Sequence, residues 1–202
     1  GQYPLDVVKL RCDFLSATGR KYMRGPRGTG FLYVSKRVIE QFNPLNLDLH
    51  SAEWIDKTSF KARSDAKKFE TWEHSISGKL GLTAAARQIN ELGIYNIWER
   101  VMNLAGYLRT SLSEVEGIEV TDTGSLKSGI VTFQVNGKSH QGIKEYLSQN
   151  KFNTVIAVKN GTLIDMSNRN LDSVIRASIH YYNTNSEIDS FVSCLKNYLH
   201  SE

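Results

Sequence analysis

The stretch Ser16-Ala-Thr-Gly-Arg-Lys-Tyr-Met-Arg-Gly-Pro-Arg-Gly-Thr-Gly30 constrains this chain more than any other. Glycines at 25, 28 and 30 with Pro26 permit a sharp reversal, and the apolar run Phe31-Leu-Tyr-Val34 that follows reads as a strand. Residues Val7 to Val34 therefore read as strand, turn, strand, with Lys21 in the turn. Thr18, Arg20, Arg24 and Arg27 surround that lysine, and a hydroxyl with several guanidinium groups is suited to holding a phosphate. The Gly25-x-x-Gly28-x-Gly30 spacing reverses that of a dinucleotide fingerprint, and a strand follows where the fingerprint requires a helix. The lysine precedes the glycines, which excludes a nucleotide P-loop. Two readings stay open on the residues alone. One is a reactive amine beside an anionic cofactor; the other is a basic surface turn with solvated charges.

The 202 residues could make one large domain or two small ones. Net charge is only +4, with much of the excess between Lys9 and Arg37, so the basic character fits a local anion site. A nucleic-acid surface would need a longer basic stripe interleaved with stacking aromatics, and none is present. Cys12 and Cys194 stand far apart without metal-type spacing, and the five histidines show no ligand pairing, so no metal site is expected. Two isolated cysteines read as reduced thiols in a cytoplasmic protein. No apolar run reaches membrane-spanning length and no signal peptide opens the chain.

Ser35 to Phe42 has helical spacing with Ser35 as its N-cap, and Asn43 to Lys68 lacks periodicity and reads as a long loop. Ser77 to Leu92 reads as a helix closed by Gly93, and Asn96 to Glu114 as a long amphipathic helix stopped by Gly117. Beyond it, 118–121, 129–135, 155–158 and 174–179 read as strands. Ser139 to Gln149 and Ser186 to His200 read as helices, the last capped from Asn185-Ser-Glu-Ile. This mixture predicts a small α+β domain beginning near residue 100.

Three segments carry a resemblance. Residues 12–33, Cys-Asp-Phe-Leu-Ser-Ala-Thr-Gly-Arg-Lys-Tyr-Met-Arg-Gly-Pro-Arg-Gly-Thr-Gly-Phe-Leu-Tyr, resemble the Schiff-base region of class V aminotransferases, fold-type-I enzymes that use pyridoxal 5′-phosphate (PLP). Residues 163–189, which contain Val174-Ile-Arg-Ala-Ser-Ile-His-Tyr-Tyr-Asn-Thr184, and the shorter Lys68-Phe-Glu-Thr-Trp-Glu73 are similar to later parts of that family. Within it the chain looks more like isopenicillin-N-epimerase-like proteins and C–S lyases of the ergothioneine pathway than like cysteine desulfurases.

The resemblance implies an α/β fold: the remainder of a PLP-binding large domain over 1–100 and a small C-terminal α+β domain over 101–202. It implies PLP as cofactor, with Lys21 as imine former and base at Cα. Thr18 and Arg20 would hold the phosphate, standing where cysteine desulfurases have Ser and His in Ser-Gly-His-Lys. Arg176 would bind the carboxylate of an amino-acid substrate. His180 and Tyr181 are expected as packing and hydrogen-bonding partners, and Trp72 and Glu73 as packing residues. Desulfurases carry a nucleophilic cysteine in a loop shortly before that arginine; here 158–163 has none, which points to β-elimination or epimerisation. The full enzyme would be a cytoplasmic homodimer without nucleic-acid or membrane partners. Only 20 residues precede Lys21, so the chain is expected to be a C-terminal portion, inactive alone. Transamination and a non-catalytic dimerisation module remain the alternatives.

Overall fold

The computed structural model describes residues 1–200, which form two compact units dividing between Ile94 and Tyr95. The first begins with one helical turn, α1 (Val7–Leu10), where a strand was expected. Asp6 accounts for the difference, because its carboxylate accepts the Val8 and Lys9 amides at 2.9 and 3.1 Å. Strands β1 (Phe14–Thr18) and β2 (Gly30–Val34) then pair antiparallel, Phe14 opposite Val34 and Thr18 opposite Gly30, as the strand–turn–strand pattern predicts.

Residues 35–42 do not form the predicted helix. Val38 and Gln41 bond back to Ser35 and Val38 in three-residue turns. Pro44 lies just beyond, and so short a segment cannot offset helix nucleation. Arg37 reaches out of the turn to Asp13, Nε to Oδ1 at 2.6 Å.

The predicted loop 43–68 contains a hairpin of β3 (Ala52–Trp54) and β4 (Phe60–Ala62). Its turn is built by Asp56, whose Oδ1 accepts the Thr58 and Ser59 amides at 2.8 and 2.9 Å while Oδ2 accepts the Ser59 hydroxyl at 2.6 Å. These bonds hold the Asp56 carboxyl down at about 2. Helix α2 (Ile76–Leu92) starts at Ser75, whose Oγ accepts the Gly78 amide at 3.0 Å. It ends at Gly93, where a φ of 81° lets the chain turn away.

Helix α3 (Ile94–Ser113) leads into the second unit. There β5 (Ile118–Val120), β6 (Ile130–Val135), β7 (Val155–Val158) and β8 (Ser173–Ser178) make an antiparallel sheet in the order β5-β6-β8-β7. Alternation along β6 buries Val131, Phe133 and Val135, and Phe133 and Val131 stand opposite Ile175 and Ala177 of β8. Leu104, Leu108 and Leu112 of α3 join this core, as do Ile143 and Leu147 of α4 (His140–Gln149) and Ile188, Phe191 and Leu195 of α6 (Asn185–His200). Spacing of three to four residues on each helix places these side chains on one face.

Cys194 lies buried in α6, and burial pushes its thiol upward from the ordinary range. The cap of α6 sits one residue earlier than Asn185: Thr184 Oγ1 accepts the Glu187 amide at 3.2 Å and the Glu187 carboxylate accepts the Thr184 amide at 2.9 Å. A short helix α5 (Leu163–Asn168) lies between β7 and β8. Arg109 of α3 secures the β5–β6 connection, bonding Asp122 Oδ2 at 2.7 Å and the Ser128 and Ile130 carbonyls at 2.7 and 3.0 Å. No helix among the described residues is long and apolar enough to cross a membrane.

Candidate active site

The turn between β1 and β2 carries three of the four predicted site residues. Its neck is closed by backbone bonds from the Gly19 amide to the Thr29 carbonyl and from the Gly25 amide to the Gly19 carbonyl, both 2.8 Å. Lys21 to Arg24 form a tighter turn inside it, the Arg24 amide reaching the Lys21 carbonyl at 2.8 Å. Gly30 is demanded by its neighbours, since a Cβ there would stand 2.4 Å from the Ala17 carbonyl oxygen. Thr18 at the end of β1, then Arg20 and Lys21, are all exposed. Among the described residues none of these three side chains has a hydrogen bond or ion pair.

Arg24 and Arg27 were grouped with Thr18 and Arg20 as phosphate-holding neighbours, and Arg24 has another role. Its Nη2 donates to Gln88 Oε1 on α2. Its backbone takes a φ of 59°, the left-handed region that side-chain-bearing residues seldom enter. Arg27 is exposed.

The Lys68–Glu73 segment is structural in part. Lys68 is buried, with Nζ donating to the Ile39 carbonyl and, at 3.2 Å, to Asn43 Oδ1. Asp48 Oδ2 accepts the Trp72 amide at 2.7 Å while Oδ1 accepts those of His50 and Ser51, and the Trp72 bond leads the causes that lower its pKa. The Trp72 indole itself is not packed inward as expected: it is 60% exposed and makes one edge contact with His50, centroids 5.9 Å apart. Glu73 is likewise exposed.

Beside this segment lies a cleft of about 330 Å³ whose lining includes Thr29, Gly30, Glu70, His74 and Lys79. Glu70 Oε2 sits 3.5 Å from both Lys79 Nζ and His50 Nε2. Sequence reasoning missed these groups, which come from three separated segments.

Arg176 belongs to the second unit, at the centre of β8, opposite Thr132 of β6 and Val155 of β7. Its sequence neighbours Ile175 and Ala177 face the core, so period-two alternation puts the guanidinium on the other face. There it is half-buried, and Nε is shielded from solvent without a hydrogen-bond acceptor among the described residues. Leaving such a donor unmet costs about 1–3 kcal/mol, a cost that an arriving carboxylate would remove.

After β8, His180 stacks on Tyr182 with centroids 4.3 Å apart, and its Nδ1 accepts the Tyr181 amide at 3.0 Å. It packs and orients, as expected. The stretch from Val158 to Leu163 holds no thiol, and Lys159–Gly161 forms a single 3-10 turn leading toward α5.

Comparison with known proteins matches the family model "Aminotransferase class-V" over residues 1–191. A probable cysteine desulfurase of Borreliella burgdorferi is 32% identical over 95% of this chain and 47% of its own length. One from Methanothermobacter thermautotrophicus is 29% identical over 93% and 48%. Among solved structures, the apo cysteine desulfurase of Thermococcus onnurineus superposes with a TM-score of 0.90 at 25% identity, over 100% of this chain and 50% of that one. A cystine C–S lyase solved with its product cysteine persulfide shares the fold, with a TM-score of 0.80 at 22% identity, over 96% and 49%. The chain thus spans about half the length of these relatives. From the Lys21 turn to the strand bearing Arg176, it belongs to the class V aminotransferase family.

Proposed function

We propose that this chain is part of a PLP-dependent enzyme acting at Cα and Cβ of an amino-acid substrate, by C–S-cleaving β-elimination or by epimerisation. The observation that carries the reading is the condition of Lys21. Its ε-amino group is exposed and unpaired among the described residues, on a turn whose neck is closed by backbone bonds. An amine that must condense with an aldehyde cannot be held in a salt bridge, and this one is not.

The residues present fit the cofactor. Thr18 and Arg20 offer a hydroxyl and a planar guanidinium beside the lysine, both without partners among the described residues, to receive its phosphate. When bound, PLP supplies an electron sink that makes the substrate's Cα–H acidic. Lys21 would hold the cofactor through its amine and would serve as the base for the proton at Cα. Arg176 fixes the substrate carboxylate, and its unmet Nε is the donor that such an anion would satisfy. Residues 1–100 would then be the remainder of a PLP-binding large domain and 101–202 the small domain of a cytoplasmic homodimer.

The relatives' names favour a second reading, desulfurase activity with cysteine as substrate. Persulfide transfer needs a thiolate at the acceptor position, and no cysteine lies between Cys12 and Cys194. Elimination and epimerisation need no such group. Likeness to an epimerase or an ergothioneine-type lyase is the finer form of this proposal.

Incubation with PLP, borohydride reduction and peptide mapping test it. Label at Lys21 is expected, and label confined to other lysines overturns the assignment. Pyruvate and ammonia release from cysteine conjugates, inversion at Cα, and exchange with a keto acid then separate lyase, epimerase and transaminase. No turnover by the protein joined to the rest of its fold would favour a non-catalytic module.

A further inference from the structure

The turn that carries Lys21 lies along one face of α2. Thr29 meets the helix at Gly78, where a Cβ would stand 3.1 Å from Thr29 Cγ2. Pro26 meets it at Gly81, where a Cβ would stand 2.5 Å from Pro26 Cγ. A Cβ on Gly19 would stand 2.5 Å from Leu82 Cδ1, and Arg24 bonds Gln88. Positions 81 and 82 stand three and four residues after 78, and 88 stands seven after 81, so they lie on one side of the helix. As the turn is followed backward from 29 to 24, its contacts climb the helix from 78 to 88. Small residues admit the backbone at the first contacts, and a side-chain bond closes the last.

We infer that Arg24 and Gln88 are positioning residues for Lys21: their bond holds the far end of the turn on α2 and so fixes where the lysine amine stands. This rests on the proposed role of Lys21. Two independent features converge on Arg24. Its guanidinium leaves the anion-holding group beside Lys21 to reach the helix, and its backbone occupies a left-handed conformation costly for any residue with a Cβ. An arginine in place of the glycine that would sit there without strain implies a use for its side chain. Lys21 itself makes no side-chain bond among the described residues, so its placement depends on the turn beneath it.

The test compares Gln88→Ala, Arg24→Gly and Gln88→Glu with the parent chain. Arg24→Gly keeps the left-handed backbone and removes only the side chain; Gln88→Glu keeps an acceptor and adds charge. Amide exchange over residues 20–27 and the rate of PLP trapping at Lys21 by borohydride, followed against pH, are the two readouts. Loss of one solvent-exposed side-chain hydrogen bond predicts roughly fivefold faster exchange and a similar fall in trapping for Gln88→Ala and Arg24→Gly, with Gln88→Glu at least equal to the parent. Unchanged values in both disrupted variants overturn the inference, as does faster exchange with unaltered trapping, which would mark a purely structural bond. A parent chain that traps PLP elsewhere instead removes the role of Lys21, a result distinct from either.

Discussion

The two units of this chain are built on different foundations. In the second, nineteen buried side chains from three helices, strands β5, β6 and β8 and the adjoining turns close one core, with Val131, Phe133, Ile143, Leu147 and Ile175 fully enclosed. In the first, the buried apolar residues are Val34, Ile39, Ala85 and Ile89. Many of its large apolar side chains face solvent: Leu45 is 99% exposed, Val8 77% and Trp54 69%. Its strands form two separate ribbons of two, an arrangement with little stability of its own. What orders it is local chemistry: Asp6, Asp48, Asp56 and Ser75 each satisfy backbone amides through a side-chain oxygen. Burial supports the unit that holds Arg176, whereas turns and caps support the unit that holds Lys21. The chemistry proposed for Lys21 therefore stands on the less self-sufficient half.

Core truncation should break the comparison most sharply. Phe133→Ala removes a ring enclosed between sheet and helices and is expected to cost about 3–5 kcal/mol in urea unfolding. Phe60→Ala, at a position 59% exposed in the first unit, should change stability by no more than ~0.5 kcal/mol. Comparable losses in the two would mean that the first unit has a core its surface does not reveal.

Ion pairs should differ in the same direction by a smaller margin. Arg109 and Asp122 have side chains 11% and 15% exposed, so Asp122→Ala leaves a charge stranded and is expected to cost about 3 kcal/mol. The Arg63–Asp65 pair of the first unit is 41% and 51% exposed, and Asp65→Ala should cost under ~1 kcal/mol. The same unfolding measurements decide it. Equal costs would erase the contrast.

Which parts could be read from the sequence follows this division. Helices α3, α4 and α6 and strands β5, β6 and β8 are legible because each presents one face to the core, and burial imposes its period on the residues. The β3–β4 hairpin has no such face: Trp54 and Phe60 point outward, and only the Asp56-x-Thr58-Ser59 turn could have announced it. Residues 35–42 carry a cap and three apolar positions, yet nothing nearby rewards a helix.

The site divides likewise. Lys21, Thr18, Arg20 and Arg176 could be proposed because each sits in a contiguous motif. The Glu70–Lys79–His50 grouping and the Arg24–Gln88 bond join residues far apart in the chain, and no local pattern encodes them.

Acid should separate the units' local devices next. The Asp56 carboxyl lies at about 2, below its ordinary 3.8. A depressed carboxyl contributes stability that is complete above the ordinary value and is lost as pH falls through the folded one. Protection of the Thr58 and Ser59 amides should therefore decline between about pH 4 and 2, and Asp56→Asn should shift that acid transition. His140 of the second unit is also depressed, by burial, from 6.5. A neutral histidine is favoured in the fold, so its contribution is complete above 6.5 and weakens as pH falls below it. Amide exchange followed from pH 7 to 2 should register the His140 region first and the Asp56 turn last; the reverse order would contradict both assignments.

The change in stability expected at Arg176 is also small, and it is the most telling for function. A residue retained for the fold should be missed when removed, as Arg109 should be. Arg176 instead holds a shielded Nε without an acceptor among the described residues, on a strand already pinned by β6 and β7. Replacing an unmet donor by an apolar side chain of similar length removes a desolvation cost rather than a contact. Arg176→Met is therefore expected to leave the unfolding free energy within about 1 kcal/mol of the parent, or to raise it slightly, while weakening capture of an amino-acid carboxylate. A loss above ~2 kcal/mol would identify Arg176 as a structural residue of the sheet and leave the proposed substrate without its anchor.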